Sequence, residues 1–341
     1  MNSSERKKSF SRRVGWWISA KLSVVFFAFI RNCPERFLPH LGDGLGLLMY
    51  YVLPHRKKTG IQNVKLVYGS TLPDEARGRL IKNTFRNHAK DILETTRSCV
   101  SPHFEIFLRE NISVRGEPHL ERALRKGRGV IAVSAHMGNF PIIAAKMVSL
   151  GYPVSLIVKN LNNVFLIDAL GQWMKRYGIG TIPYKPRRLC ASASLRVLRN
   201  NGVVLLLIDQ NPRKKYGIPV EFFGYHVPTY GGLVTLAKRT GAATIPLFIH
   251  RNHDNTETIE ILPEVPLKKS DNHEQDLVDN LRTINRICEA WIKQFPAQWW
   301  WIHRRFRHAT LGRASTDVSG PYSPACASEN SSEDDERDEW G

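Results

Sequence analysis

The residue whose setting most invites chemistry is a histidine at the end of an apolar run. Val130-Ile131-Ala132-Val133 is short and β-branched. Ser134 and Ala135 follow it, then His136, with Met137, Gly138, Asn139, Phe140 and Pro141 behind. That order reads as a buried strand, a turn through a glycine and the start of a helix. In open α/β sheets ligands collect beyond the carboxyl ends of strands. A neutral imidazole there can take the proton of an attacking hydroxyl, because its ordinary pKa lies near neutrality. Taken alone, the same pattern also suits a purely structural histidine.

The elements that must hold His136 follow from periodicity. Further strand-like runs cover 153–158, 203–208, 243–249 and 259–262. Helical patterns cover 139–150, 163–177, 188–200, 231–240 and 274–294. Strand and helix alternate, so the expected fold is α/β: a mainly parallel sheet flanked by helices on both faces. Ahead of it, 73–98 and 101–110 read as helices, the first with an apolar stripe of Leu80, Phe85 and Ile92. There is no internal repeat.

Charge bounds the partners. The 341 residues carry a net +18. From Ser315 onward there are eight acidic residues and one basic, so residues 1–314 hold 48 basic against 23 acidic side chains, or +25. A surface this basic seeks a polyanion, and no nucleic-acid-binding motif is present. The N-terminus has five basic residues within the first 13, then an apolar run from Val14 to Ile30 broken by Lys21. This run is slightly short of a bilayer crossing. No small-residue cleavage site follows it. Arg31, Arg36, Arg56, Lys57 and Lys58 flank it, which favours an uncleaved anchor or interfacial helix over a signal peptide or a buried core helix. Leu41 to Leu53 is apolar but too short to span. The expected organisation is therefore 1–55, a basic N-terminus with membrane-associating helices; 56–314, the folded domain; and 315–341, an acidic tail too polar to pack. The cysteines Cys33, Cys99, Cys190, Cys288 and Cys326 show no metal-ligand spacing and read as reduced thiols.

Several blocks together resemble the lipid A biosynthesis acyltransferases of the lauroyl/myristoyl transferase family. His136, Gly138, Asn139 and Phe140 fit that family's His-x-Gly-Asn-aromatic-acid motif. In order after it come Asp209-Gln210, then Gly217-Ile218-Pro219-Val220-Glu221-Phe222-Phe223-Gly224, then Pro228-Thr229 with Gly232, Leu236-Ala237 and Thr240-Gly241-Ala242. Last come Glu289-x-Trp291-Ile292 and Pro296-x-Gln298-Trp299-x-Trp301-x-His303-x-Arg305. The likeness runs over roughly residues 14–308. It implies a glycerolipid-acyltransferase-like fold at the cytoplasmic face of the inner membrane. It also implies a fatty acyl thioester on acyl carrier protein, or another acyl thioester, as donor and a hydroxyl of an anionic membrane lipid, a lipid A precursor or similar membrane glycolipid, as acceptor. Direct attack assisted by His136 needs no metal, nucleotide, other cofactor or acyl-enzyme. Rival acceptors are a lysophospholipid or an amino-acid lipid, and a non-catalytic lipid binder is the rival outside enzymes.

The chain departs from that motif where it matters. Pro141 stands where the family carries its acid, and proline can neither orient nor charge-stabilise an imidazolium. Two readings are open: another carboxylate serves, with Asp209 the best placed because it too follows a strand, or activity is lost. Asp209 equally suits a loop-fixing acceptor. By the same resemblance Gly138, Asn139 and Gln210 are expected at the substrate. Lys159 and Arg176, with Arg187 and Arg188, are candidates for a phosphate of the acceptor or of the carrier's phosphopantetheine arm. The Trp299–Trp301 cluster reads as core running into a basic rim.

Overall fold

The computed structural model of the protein describes residues 25–158, 164–212 and 217–311, with side chains excepted at 164–169 and 311. Residues 1–24, Lys159, the run Arg213-Lys214-Lys215 and the acidic tail lie outside the described residues.

In chain order the elements are α1 (Leu38–Val52), α2 (Pro54–Tyr68), α3 (Asp74–Val100), α4 (Phe104–Asn111), β1 (Ile112–Arg115), α5 (Glu117–Leu124), β2 (Val130–Ser134), α6 (Phe140–Ser149), β3 (Val154–Val158), α7 (Val164–Arg176), β4 (Gly180–Pro183), α8 (Arg187–Arg199), β5 (Val203–Leu207), β6 (Ile218–Phe222), β7 (Tyr225–Thr229), α9 (Gly232–Thr240), β8 (Ala243–Arg251), β9 (Glu257–Ile261), α10 (His273–Gln294) and β10 (Thr310–Leu311). The main sheet has seven strands in the order β1-β9-β8-β2-β5-β3-β4. β8, β2, β5, β3 and β4 are mutually parallel; β9 runs against β8, with β1 parallel to β9. This is the mainly parallel sheet the alternation implies.

The strands lack polar alternation because both faces are covered, as parallel strands require. On β2, Ile131 and Val133 point into a cluster that holds Val204, Leu281, Trp299 and Trp301. Val130 and Ala132 point into another with Ile142, Ile143, Val203 and Ile245. Each fully buried Ile or Val there contributes about 1.5–3 kcal/mol relative to exposure.

Beside the sheet lies a three-stranded antiparallel unit in the order β10-β7-β6. Its tight hairpin turns on Phe223 and Gly224, with φ of 52° and 77°. Two consecutive positive φ values suit the primed turns that match strand twist. A phenylalanine there is held from outside: its backbone N–H donates to Glu289 Oε1 at 2.8 Å, and its ring meets Phe222 edge-on at 4.8 Å.

One expectation is corrected here. The inward stripe of α3 is Ile81, Phe85, Ala89 and Leu93, at steps of four, whereas Ile92 faces out. Phe85 belongs to both stripes, Leu80 is half-buried against the core, and only Ile92 is turned to the outside. α1, which precedes the expected boundary near residue 55, packs closely on α3. A Cβ on Gly46 would come 2.4 Å from the Arg86 Cα, and one on Gly42 2.9 Å from the Lys90 Cα. These glycines let α1 sit directly on the α3 backbone. Among the described residues no helix is long and apolar enough to cross a membrane.

Candidate active site

Register brings His136 and Asp209 together. β2 pairs with β5 so that Ser134 faces Leu207, and Ile208 N–H still donates to the Ser134 carbonyl at 3.2 Å. Two residues beyond, His136 and Asp209 stand opposite each other past the ends of neighbouring parallel strands. His136 Nδ1 lies 2.7 Å from Asp209 Oδ1, and the His136 backbone N–H donates to Asp209 Oδ2 at 2.9 Å. Trp299 Nε1–H donates to the same Oδ2 at 2.8 Å.

This geometry sets the protonation pattern. Burial alone would raise the Asp209 carboxyl. The charge of a protonated His136 and the hydrogen bonds from His136 and Trp299 outweigh burial and hold it down at about 2,. An ionised carboxylate only accepts, so Nδ1 carries a ring hydrogen, and in the neutral ring Nε2 is the nitrogen with the lone pair. That nitrogen faces the Gln210 side-chain amide, with Nε2 to Nε2 at 2.9 Å. The imidazole side chain is 13% exposed and that of Asp209 3%. The imidazole thus reaches the surface while the carboxylate stays buried.

The flanking groups lock this arrangement. The His136 ring sits between Phe140 at 4.8 Å and Trp300 at 5.5 Å. Trp300 N–H donates to the His136 carbonyl at 3.1 Å. Gly138 has φ +53°, and a Cβ there would lie 2.6 Å from the Ile249 carbonyl oxygen, so the turn requires glycine. Pro141 occupies the first turn of α6, a position proline tolerates because no intrahelical N–H is needed. Arg305, fully buried, donates to the Gln210 carbonyl, Asn211 Oδ1, the Pro228 carbonyl and Thr229 Oγ1 at 2.6–3.3 Å. It ties the Asp209–Asn211 loop to β7. Burial pushes it down to about 10. His303 lies beside the same loop. Burial, with the positive charges of His136, Arg305 and Arg56 against the pull of Asp209, lowers it to about 4 and keeps it neutral.

Comparison with known proteins gives the family. The family model of the bacterial lipid A biosynthesis acyltransferases matches residues 4–308. The chain belongs to this family. It is an acyltransferase. A lipid A biosynthesis palmitoleoyltransferase of Escherichia coli (strain K12) is 24% identical over 288 residues, 83% of this chain and 89% of that protein. A lipid A biosynthesis lauroyltransferase of the same organism is 25% identical over 299 residues, 86% and 92% of the two chains. A phosphatidylinositol mannoside acyltransferase of Mycolicibacterium smegmatis (strain ATCC 700084 / mc(2)155) is 23% identical over 239 residues, 70% and 75%.

Within this acyltransferase the residues singled out in the sequence fall into two groups. His136, Asp209 and Gln210 come together. Asn139 does not join them at the surface. It is fully buried, its amide donating to Glu94 Oε2 and its oxygen accepting from Thr95 Oγ1, so it has no face left for substrate. Gly138 serves through its backbone. Arg176 is corrected by topology. It ends α7, which returns from the carboxyl end of β3 to the amino end of β4, so it lies at the opposite end of the parallel strands from His136. Arg187 and Arg188 are exposed at the start of α8, at the His136 end of the strands. The Trp299–Trp301 reading as core holds for Trp299 and Trp301, 1% and 0% exposed. The donor role of Trp299 and the Arg305 clamp had no signal beyond their place in the last sequence block.

Proposed function

We propose that this acyltransferase moves a fatty acyl chain from an acyl carrier protein thioester to a hydroxyl of a lipid A precursor or similar membrane glycolipid, with His136 as general base. The observation that carries the reading is the 2.7 Å contact between His136 Nδ1 and Asp209 Oδ1. It supplies the carboxylate that Pro141 cannot, and it favours a working catalyst over a binding protein that has lost its chemistry.

The chemistry follows from the tautomer. The acceptor hydroxyl takes the place of the Gln210 amide at Nε2 and gives its proton to the ring. Its oxygen adds to the thioester carbonyl. The tetrahedral intermediate then expels the carrier thiolate, and the imidazolium returns the proton to sulfur. Asp209 stabilises the charged ring between those steps. The ester forms, the C–S bond breaks, and the enzyme ends as it began.

Surface chemistry supports a cytoplasmic-face membrane setting. α1 turns Leu48, Tyr51 and Val52 outward, and Leu53, Phe37 and Phe29 are exposed nearby. Arg56, Lys57 and Lys58 follow at once. Apolar side chains rimmed by cations suit an anionic leaflet. The basic residues 1–314 also complement an acidic carrier protein.

The test is turnover of acyl carrier protein thioester by the purified full chain in mixed micelles, with lipid A precursor, mannolipid and lysophospholipid offered separately. Mass spectrometry of lipids from a deletion strain then identifies the acceptor. Transfer to the glycolipids that His136→Ala abolishes supports the reading. A His136→Ala protein with normal turnover overturns it.

A further inference from the structure

Arg251, the last residue of β8, is 6% exposed. Its guanidinium donates to Asp91 Oδ1 and to both carboxylate oxygens of Glu94, all at 2.6 Å, and lies 2.8 Å from Glu257 Oε1. Asp91, Glu94 and Glu257 bring carboxylate oxygens within 4.8 Å of one another. The space among them, which would otherwise invite a cation, is filled by the arginine. Burial pushes both Glu94 and Glu257 up, against the pull of Arg251. Such a cluster is an expensive thing to keep in a protein interior, and it touches neither the Asp209 carboxylate nor the surface.

Two threads run from it to the base. The first is made of side chains: Arg251 holds Glu94, Glu94 Oε2 accepts from Asn139 Nδ2 at 2.9 Å, and Asn139 Oδ1 accepts from Thr95 Oγ1 at 2.8 Å. Asn139 is three residues past His136 and closes the turn that aims the ring. The second runs through Gln298, whose side chain pairs with the Arg251 backbone in both directions at 2.7 and 2.9 Å. The Gln298 carbonyl accepts from Gly138 N–H at 3.0 Å. Trp299 and Trp300, the next residues, grip Asp209 and the His136 carbonyl. Arg251 thus holds both segments that set the imidazole against its carboxylate.

We propose that Arg251, Glu94 and Asn139 form a positioning clamp for His136, a buried donor–acceptor chain that fixes the 136–139 turn without contacting substrate. The clamp rests on the reading of His136 as the base.

The test exchanges donor and acceptor along the chain. Asn139→Asp sets two carboxylates face to face, and Glu94→Gln sets two amides face to face. The double variant restores one donor opposite one acceptor. Its new amide at position 94 keeps an oxygen for Arg251 Nη1 but gives up the bond that Glu94 Oε2 accepts from Arg251 Nη2, and its new carboxylate at position 139 still accepts from Thr95. Each single variant is expected to lower kcat about tenfold or more with KM within about twofold, because a base shifted by a fraction of an ångström loses rate, not binding. The double is expected to lose far less than the product of the two singles and to recover at least about threefold over the poorer single, a non-additivity that contacting partners show. Full chains in micelles are used, and the downfield ring N–H proton signal of His136, assigned by its loss in His136→Gln, is followed alongside. It should broaden or shift in the singles and return in the double. Singles with parental kcat, or a double whose loss equals the product of the singles, overturn the clamp. If a single fails to fold, a double that folds and regains the signal supports the clamp, and one that folds without regaining it overturns it. Should the parent turn over no thioester, the functional reading fails, and the N–H signal alone still decides the clamp.

Discussion

Asp209 grips His136 at two points: one carboxylate oxygen meets Nδ1 at 2.7 Å and the other accepts the His136 backbone N–H at 2.9 Å. A side chain that holds both the ring and the backbone of a base fixes its tautomer and its aim together. Asp209→Asn keeps the shape but removes the charge, and it allows the amide to offer N–H where the ring requires an acceptor. The expected outcome is a fall in kcat of about 10²–10⁴-fold with a folded protein, read by thioester turnover and circular dichroism. Parental turnover would mean that His136 works without a carboxylate.

The buried titrations give the protein an acid-sensitive stability of stated sign. Asp209 is held at about 2 in the fold, below its usual value near 3.8, so its contribution is present above that value and lost as pH falls toward 2. At full effect this is about 2 kcal/mol. His303 is held at about 4, below its usual value near 6.5. Protonation therefore favours the unfolded chain, and stability declines between roughly pH 6.5 and 4. Urea midpoints measured from pH 7.5 downward should drop first in that upper window and again below pH 4. In Asp209→Asn the lower step should shrink. A midpoint flat from pH 7 to 4 would show that His303 is not buried neutral.

Much of this site was legible in the chain. The run Val130–Val133 and the run Val203–Ile208 are apolar on every residue because both faces of the sheet are covered, and with the helices that alternate between strands they point to a parallel sheet with His136 and Asp209 beyond strand ends. What stayed hidden depends on orientation. Asn139 sits in the family motif, yet whether its amide faces substrate or core is decided by α3, whose Glu94 is 45 residues away. Arg176 looks like a phosphate ligand until the sense of α7 sends it to the far end of the strands. β4 is only four residues long, and β1 likewise, so neither carries enough periodicity to be seen. Phe223 breaks the usual turn chemistry, and the contacts that hold it there, with Glu289 above all, come from 66 residues away.

Gly138 offers a test of the turn itself. At φ +53° with a Cβ position 2.6 Å from the Ile249 carbonyl oxygen, alanine meets both backbone strain and a backbone clash. Gly138→Ala should lose about 1–3 kcal/mol of stability and a larger share of activity than of stability, because the displaced segment is the one that carries His136. Thermal unfolding and kcat measured below the melting range separate the two effects. A variant of normal stability and rate would show that the turn can relax.

Gln210 supplies the sharpest test of the proposed base. Its amide rests 2.9 Å from His136 Nε2, the nitrogen that must receive the acceptor's proton, while its backbone is held by Arg305. Gln210→Ala removes the group that the acceptor must displace, so kcat should change by less than about tenfold. Gln210→Glu is nearly isosteric and should be far worse. With Asp209 already at Nδ1, a second carboxylate at Nε2 encloses the ring between two acceptors, and the ring then keeps both protons. A ring without a lone pair cannot act as base, so turnover at pH 7 should fall about a hundredfold or more. The diagnostic is the pH profile, because activity should reappear as pH rises and the second proton leaves, on a limb displaced upward from that of the parent. Equal losses in Ala and Glu at every pH would mark Gln210 as a substrate-binding group instead. A Glu variant as active as the parent would mean that Nε2 is not where the proton goes.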